Sequence, residues 1–190
     1  NIEIDQGKKC ILCPPTCYVD FTGSLIKQSY KNIKLGSQNC DSVLSAPLTG
    51  GTNTLMLKDI GCDFVIIGHS EQRIHLKEND QILSDKLKES IEVSLKPIFC
   101  IGESLQQKES NKTNDILIQQ LNALPSNLLS KCIIAYEPVW AIGTGKNAEI
   151  SYIEKIHSFI KEELKNKFDS TNYISVVYGG SVNLDNYKEI

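Results

Sequence analysis

Apolar and polar positions along the chain alternate between two rhythms. Short β-branched runs, almost continuous in apolar residues, stand at residues 9–13, 33–38, 64–67, 97–101, 132–136 and 173–178. Runs of this kind predict strands buried on both faces, as in a parallel sheet. Between them the period becomes helical. Leu83, Leu87, Ile91 and Leu95 recur every fourth residue, and Ile153, Ile156, Ile160 and Leu164 follow at steps of three and four. Each set draws one apolar stripe along a helix that can pack on a sheet. Asp80 and Ser151 are the expected helix starts. Strand–helix alternation predicts an α/β fold with a parallel sheet. Periodicity alone leaves open whether that sheet is a closed barrel or an open, doubly wound one. Six strand candidates also fall short of the eight a (β/α)8 barrel needs.

No linker or low-complexity tract interrupts the rhythm, so residues 1–190 read as a single domain. Charge narrows the partners. The formal net charge is −3, and the one dense basic stretch, residues 161–167, is broken by Glu162 and Glu163. That stretch reads as a solvated helix face, and no basic field exists to hold nucleic acid. No apolar stretch is long enough to span a bilayer, and no secretory signal opens the chain. Asn1 rather than Met stands first, so an N-terminal segment is expected to be missing. The seven cysteines are odd in number, and Cys10, Cys62, Cys100 and Cys132 lie in or beside apolar runs. Buried free thiols in a reducing cytoplasm fit this better than disulfides. Cys10, Cys13 and Cys17 are closely spaced, but no second Cys/His pair completes a zinc set, so no metal is expected.

Polar residues gather just after the strands. Gly68-His69-Ser70-Glu71 follows Ile67, Gly102-Glu103 follows Ile101, Glu137-Pro138-Val139-Trp140 follows Tyr136, and Gly179-Gly180-Ser181 follows Tyr178. In parallel α/β folds the C-terminal strand ends are where chemistry is built. Singly these are ordinary: a surface His, a helix-capping Glu, a Gly turn. Gly143-Thr144-Gly145-Lys146-Asn147-Ala148 also spells a dinucleotide-binding pattern. There the first glycine should sit at the strand end, whereas Pro138 to Ile142 intervene here. The phosphate-loop pattern fails too, because Trp140 stands where its first Gly should be.

The combination is specific. Ala135-Tyr136-Glu137-Pro138-Val139-Trp140-Ala141-Ile142-Gly143-Thr144-Gly145-Lys146 resembles the catalytic glutamate and lid of the triosephosphate isomerase family. Ile67-Gly68-His69-Ser70-Glu71 is similar to that family's catalytic-histidine segment. Cys100-Ile101-Gly102-Glu103, Tyr178-Gly179-Gly180-Ser181-Val182, Gln38-Asn39-Cys40 and Thr49-Gly50 resemble further signatures in the right order. The resemblance covers essentially the whole chain. It implies a (β/α)8 TIM barrel with strands 2 to 7 present and the first and last missing. It also implies interconversion of dihydroxyacetone phosphate and glyceraldehyde 3-phosphate through an enediol, a step of glycolysis and gluconeogenesis.

Family resemblance further implies the roles. Glu137 would be the base and His69 the electrophile, with Ser70 and Glu71 supporting; the family is itself a standard example of a Glu base beside a neutral His. Pro138, Val139, Trp140, Ala141, Ile142, Gly143, Thr144, Gly145 and Lys146 would form the lid. Main-chain N–H groups of Gly143 and Ser181 would hold the substrate phosphate, with no cofactor. Thr49 and Gly50 would belong to a loop that interlocks two copies in a homodimer.

Departures from the family pattern are informative. The family's first strand ends in Asn-x-Lys, but the only such triplet here, Asn32-Ile33-Lys34, opens a different strand. A barrel of this class has about 250 residues, so about 60 are expected to be absent. Gly51 and Gln72 replace a Glu and an Arg usual in the family near the dimer contact. These departures imply that residues 1–190 alone have no useful isomerase activity, because the family's catalytic lysine is absent, and that the dimer is weakened. The competing readings are a catalytically dead remnant or a split-barrel interaction module and, more distantly, a phosphate-binding dehydrogenase.

Overall fold

The computed structural model describes residues 8–30, 32–42, 48–142, 148–168 and 174–190. Along them run β1 Cys10–Leu12, α1 Val19–Ser29, β2 Ile33–Ser37, α2 Thr54–Ile60, β3 Phe64–Ile67, α3 Ser70–His75, α4 Asp80–Glu92 and β4 Lys96–Ile101. They continue with α5 Leu105–Glu109, α6 Thr113–Asn122, α7 Ser126–Leu129, β5 Ile133–Tyr136, α8 Ile150–Lys167 and β6 Val176–Tyr178. Each apolar run of the sequence contains one strand. β1 and β6 are shorter than their runs, and Tyr173 lies outside the described residues.

The strands follow one another in the sheet as β1-β2-β3-β4-β5-β6. That order decides what periodicity left open. A doubly wound sheet reverses its strand order at a switch point, whereas a (β/α)8 barrel keeps sequence order around the ring. The fold is therefore of the barrel class.

The chain divides into two compact units, one of Asn1–Ile67 with Asp85–Ile98 and one of Gly68–Ser84 with Phe99–Ile190. In the first, β1 pairs parallel with β2 from Cys10↔Ile33 to Leu12↔Leu35, and β2 with β3 at Gly36↔Phe64 and Ser37↔Val65. A Cβ on Gly36 would stand 3.3 Å from the Phe64 Cβ and closer still to the Cys13 thiol, so only glycine fits that crossing. Lys86 is buried there and donates to the Asn39 side-chain oxygen at 3.0 Å. In the second unit, β5 pairs parallel with β6 from Ile134↔Val176 to Tyr136↔Tyr178. The Glu137 N–H donates to the Ile101 carbonyl at 2.7 Å, tying the end of β5 to the end of β4.

Helix stripes predicted from spacing face the core. Leu83 and Leu87 on α4 and Ile153, Ile156, Ile160 and Leu164 on α8 are buried, while Ile91 is half-buried and Leu95, also buried, lies past the end of α4. Burying one such side chain contributes about 1.5–3 kcal/mol. α4 starts at Asp80 as expected, and the start of α8 differs by one residue. Asn79 rather than Asp80 caps α4, its side chain accepting the Ile82 N–H at 3.0 Å. α8 opens at Ile150 after Glu149, with no side-chain cap, so Ser151 lies inside the helix. All seven cysteines are free thiols.

Candidate active site

The site builds up within the second unit, at the C-terminal ends of β4, β5 and β6 together with the segment Gly68–His75. Gly68 adopts φ +75°, the left-handed region that glycine tolerates. This bend ends the strand and presents His69 as the N-cap of α3. His69 Nδ1 accepts the Glu71 N–H at 3.3 Å, and the Glu71 carboxylate lies farther off at 3.8 Å. An imidazole nitrogen that accepts a backbone N–H keeps its lone pair, so the proton resides on Nε2. Nε2 faces Glu137 Oε1 at 3.4 Å.

Glu137 is 4% exposed, at the end of β5. Its Oε2 accepts the Ser70 N–H at 3.0 Å. Two glycines make room for it. A Cβ on Gly179 would stand 2.8 Å from Glu137 Cγ, and one on Gly102 would collide with the Glu137 carbonyl. Burial pushes the Glu137 carboxyl above its ordinary value of 4.5. His69, the Cys100 thiol, the Ser70 N–H and Arg73 pull the other way without cancelling it. Desolvation of this kind makes a carboxylate a stronger base.

Two groups were not assigned roles from sequence. Arg73 donates from Nε to the Gly68 carbonyl at 2.8 Å and from Nη2 to the Cys100 carbonyl at 2.9 Å. One guanidinium thus ties the histidine segment to the end of β4. Glu103, fully buried, collects donors: the Tyr136 hydroxyl at 3.1 Å from both oxygens, Trp140 Nε1 at 2.9 Å and the Tyr152 hydroxyl at 3.2 Å. Its backbone carbonyl also accepts the Val139 N–H at 3.1 Å. The sequence signal for Glu103 was a charge just after an apolar strand and Arg73 had none; the partners of both emerge only from the fold.

Pro138, Val139, Trp140, Ala141 and Ile142 are described, with a 3₁₀ turn over Val139–Ala141. Gly143, Thr144, Gly145 and Lys146 lie outside the described residues. Ser181 follows β6, and its hydroxyl donates to the Ala141 carbonyl at 3.2 Å. Thr49 and Gly50 form a turn in the other unit, where Gly50 has φ +82°. Gly51 follows it, its N–H donating to the Leu48 carbonyl at 2.9 Å.

Buried Glu137, Ser70 and Cys100 and half-buried His69 and Arg73 thus form one contiguous cluster in which a carboxylate of raised basicity faces an imidazole N–H. Comparison with known proteins concerns the chain as a whole. A family model described as triosephosphate isomerase matches residues 2–190. The triosephosphate isomerase of Taenia solium is 35% identical over 195 residues, covering 99% of this chain and 77% of that protein. Those of Blochmanniella floridana and Escherichia coli O1:K1 / APEC are 40% and 39% identical, covering 98% and 97% of this chain and 74% and 73% of theirs. The chain belongs to the triosephosphate isomerase family.

Proposed function

We propose that the protein interconverts dihydroxyacetone phosphate and glyceraldehyde 3-phosphate, with Glu137 as the proton-transfer base and His69 as the electrophile. The observation that supports this most is the pair itself, buried Glu137 with its Oε1 3.4 Å from Nε2 of the half-buried His69. An isomerisation through an enediol must lift a proton from carbon while stabilising charge on the neighbouring oxygen. A desolvated carboxylate does the first. A neutral imidazole N–H does the second and can return a proton to either oxygen. For Glu137 to reach substrate it must exchange the Ser70 N–H for the C–H bond, so Ser70 holds the base in waiting. Main-chain N–H groups of Gly143 and Ser181 are the phosphate donors in this reading, and the segment from Pro138 to Lys146 is the lid that expels water.

Residues 1–190 contain no counterpart of the family's first-strand lysine. That polypeptide by itself is expected to turn over far more slowly than a family member that carries the lysine. A homodimer, loosened by Gly51 and Gln72, and a cytoplasmic location belong to the same reading; no helix among the described residues is long and apolar enough to cross a membrane.

The test is Glu137→Asp, with kcat measured against that of the parent. The carboxylate withdraws by about one bond, and misplacement of about 1 Å can cost on the order of 10²-fold in rate. A kcat equal to that of the parent would rule Glu137 out as the base.

A further inference from the structure

Lys108 sits on α5, five residues after Glu103. The helix opens with a capping box in which Ser104 and Gln107 satisfy each other's backbone N–H groups. The turn that sets Glu103 into the core therefore also sets the direction of Lys108. Its ammonium lies 3.4 Å from the centroid of the Trp140 ring and 4.6 Å from that of Tyr152. Both are inside the range of about 6 Å over which a cation is attracted to an aromatic face. The two rings meet edge to face, with centroids 6.0 Å apart. Both donate to the same atom, Glu103 Oε1, at 2.9 Å and 3.2 Å.

The result is a closed arrangement. A buried carboxylate draws the polar edges of two rings, and an ammonium covers their faces. The anion polarises the indole N–H and the phenol O–H, which makes both faces better partners for the cation. Trp140 stands three residues after Glu137, in the turn Val139–Ala141. Whatever fixes the indole also limits where the end of β5 can point.

We propose that Lys108 is a positioning residue for the base: its ammonium, stacked on Trp140 and Tyr152, holds the indole against Glu103 and thereby fixes the turn that follows Glu137. The inference rests on the proposed function for its kinetic consequence, but not for the placement of the ring.

The experiment uses the protein labelled with 5-fluorotryptophan, the Trp140 fluorine line being assigned by its loss in Trp140→Phe. Lys108→Met keeps an unbranched apolar stem and deletes the charge; Lys108→Arg keeps the charge. Lys155→Met removes a neighbouring cation from the same hollow, which Lys108, Tyr152 and Lys155 line together, and serves as the control. Lys108→Met is expected to shift and broaden the Trp140 line, to increase its shift between H2O and D2O, and to lower kcat several-fold. Lys108→Arg restores both readouts towards the parent, and Lys155→Met leaves the line in place. A Trp140 line unmoved in Lys108→Met overturns the proposal, as does an Arg variant as disturbed as the Met variant. An unchanged kcat in Lys108→Met overturns its kinetic half. A parent protein with no turnover at all would sink the proposed function, while the fluorine line would still decide what holds Trp140.

Discussion

The backbone N–H of Ser70 donates to Glu137 Oε2 at 3.0 Å, so the first residue of α3 holds the carboxylate at the end of β5. The donor can be deleted without breaking the helix. Proline is tolerated at the first helical position, where its missing N–H costs no intrahelical bond. The preceding residue must then be extended, and His69 already has φ −51° and ψ 142°. Ser70→Pro should therefore fold and lose one of the contacts that lower the Glu137 pKa. The acid limb of kcat/KM should move to higher pH in Ser70→Pro and stay in place in Ser70→Ala, which keeps the N–H. Coincident acid limbs in the two variants would show that the amide does not tune the base.

Ser181 separates a backbone role from a side-chain role. Its hydroxyl is engaged by the Ala141 carbonyl at 3.2 Å, which leaves the main-chain N–H as its candidate phosphate donor. Ser181→Ala removes only the tether to Ala141, a contribution of about 0.5–1.5 kcal/mol for an ordinary hydrogen bond. Ser181→Pro deletes the N–H itself. Inhibition by inorganic phosphate should weaken much more in Ser181→Pro than in Ser181→Ala. Equal inhibition constants in the two variants would remove Ser181 from the phosphate site.

What the sequence disclosed and what it withheld follow from range. The strands were legible because chain buried on both faces must be apolar throughout, as in Phe64–Ile67 and Ile133–Tyr136. Strand order was not, since periodicity describes one element at a time; it took the pairing of β1 to β6 in sequence order to settle the barrel class. His69 and Glu137 stood out through their local motifs. Arg73 did not, because its meaning lies in two carbonyls, at residues 68 and 100, that only the fold brings within its reach. Glu103 was visible as a charge after a strand, but its donors come from residues 136, 140 and 152. Asn79 and Asp80 are both good caps by type, and only the bond from the Ile82 N–H decides between them.

Glu103 is fully buried, and its carboxylate accepts from Tyr136, Trp140 and Tyr152. Glu103→Gln replaces one acceptor oxygen with an NH2 group that must face a donor. An unsatisfied buried polar group costs about 1–3 kcal/mol. Chemical denaturation should show a loss of that size, with a smaller loss for Tyr152→Phe, which removes a donor and leaves the carboxylate two others. A Gln variant as stable as the parent would mean that the three donors rearrange freely.

The last prediction concerns the cost of keeping a base dry. Burial raises the Glu137 carboxyl above its ordinary value of 4.5, by more than His69, Cys100, Ser70 and Arg73 together lower it. The folded chain therefore holds this proton more tightly than the unfolded chain. Between the two values the native state binds more protons, and stability falls with rising pH. The contribution is fully present below about 4.5 and is lost as pH rises through the folded value. Glu137→Gln mimics the protonated form and does not titrate. Its stability relative to the parent should therefore improve from pH 4 towards pH 8, while turnover is abolished across the range. Urea midpoints of parent and variant, measured at matched pH values, read this directly. A stability difference that stays constant with pH, or moves in favour of the parent as pH rises, would show that the carboxylate is better stabilised in the site than in water, contrary to its role as a strengthened base.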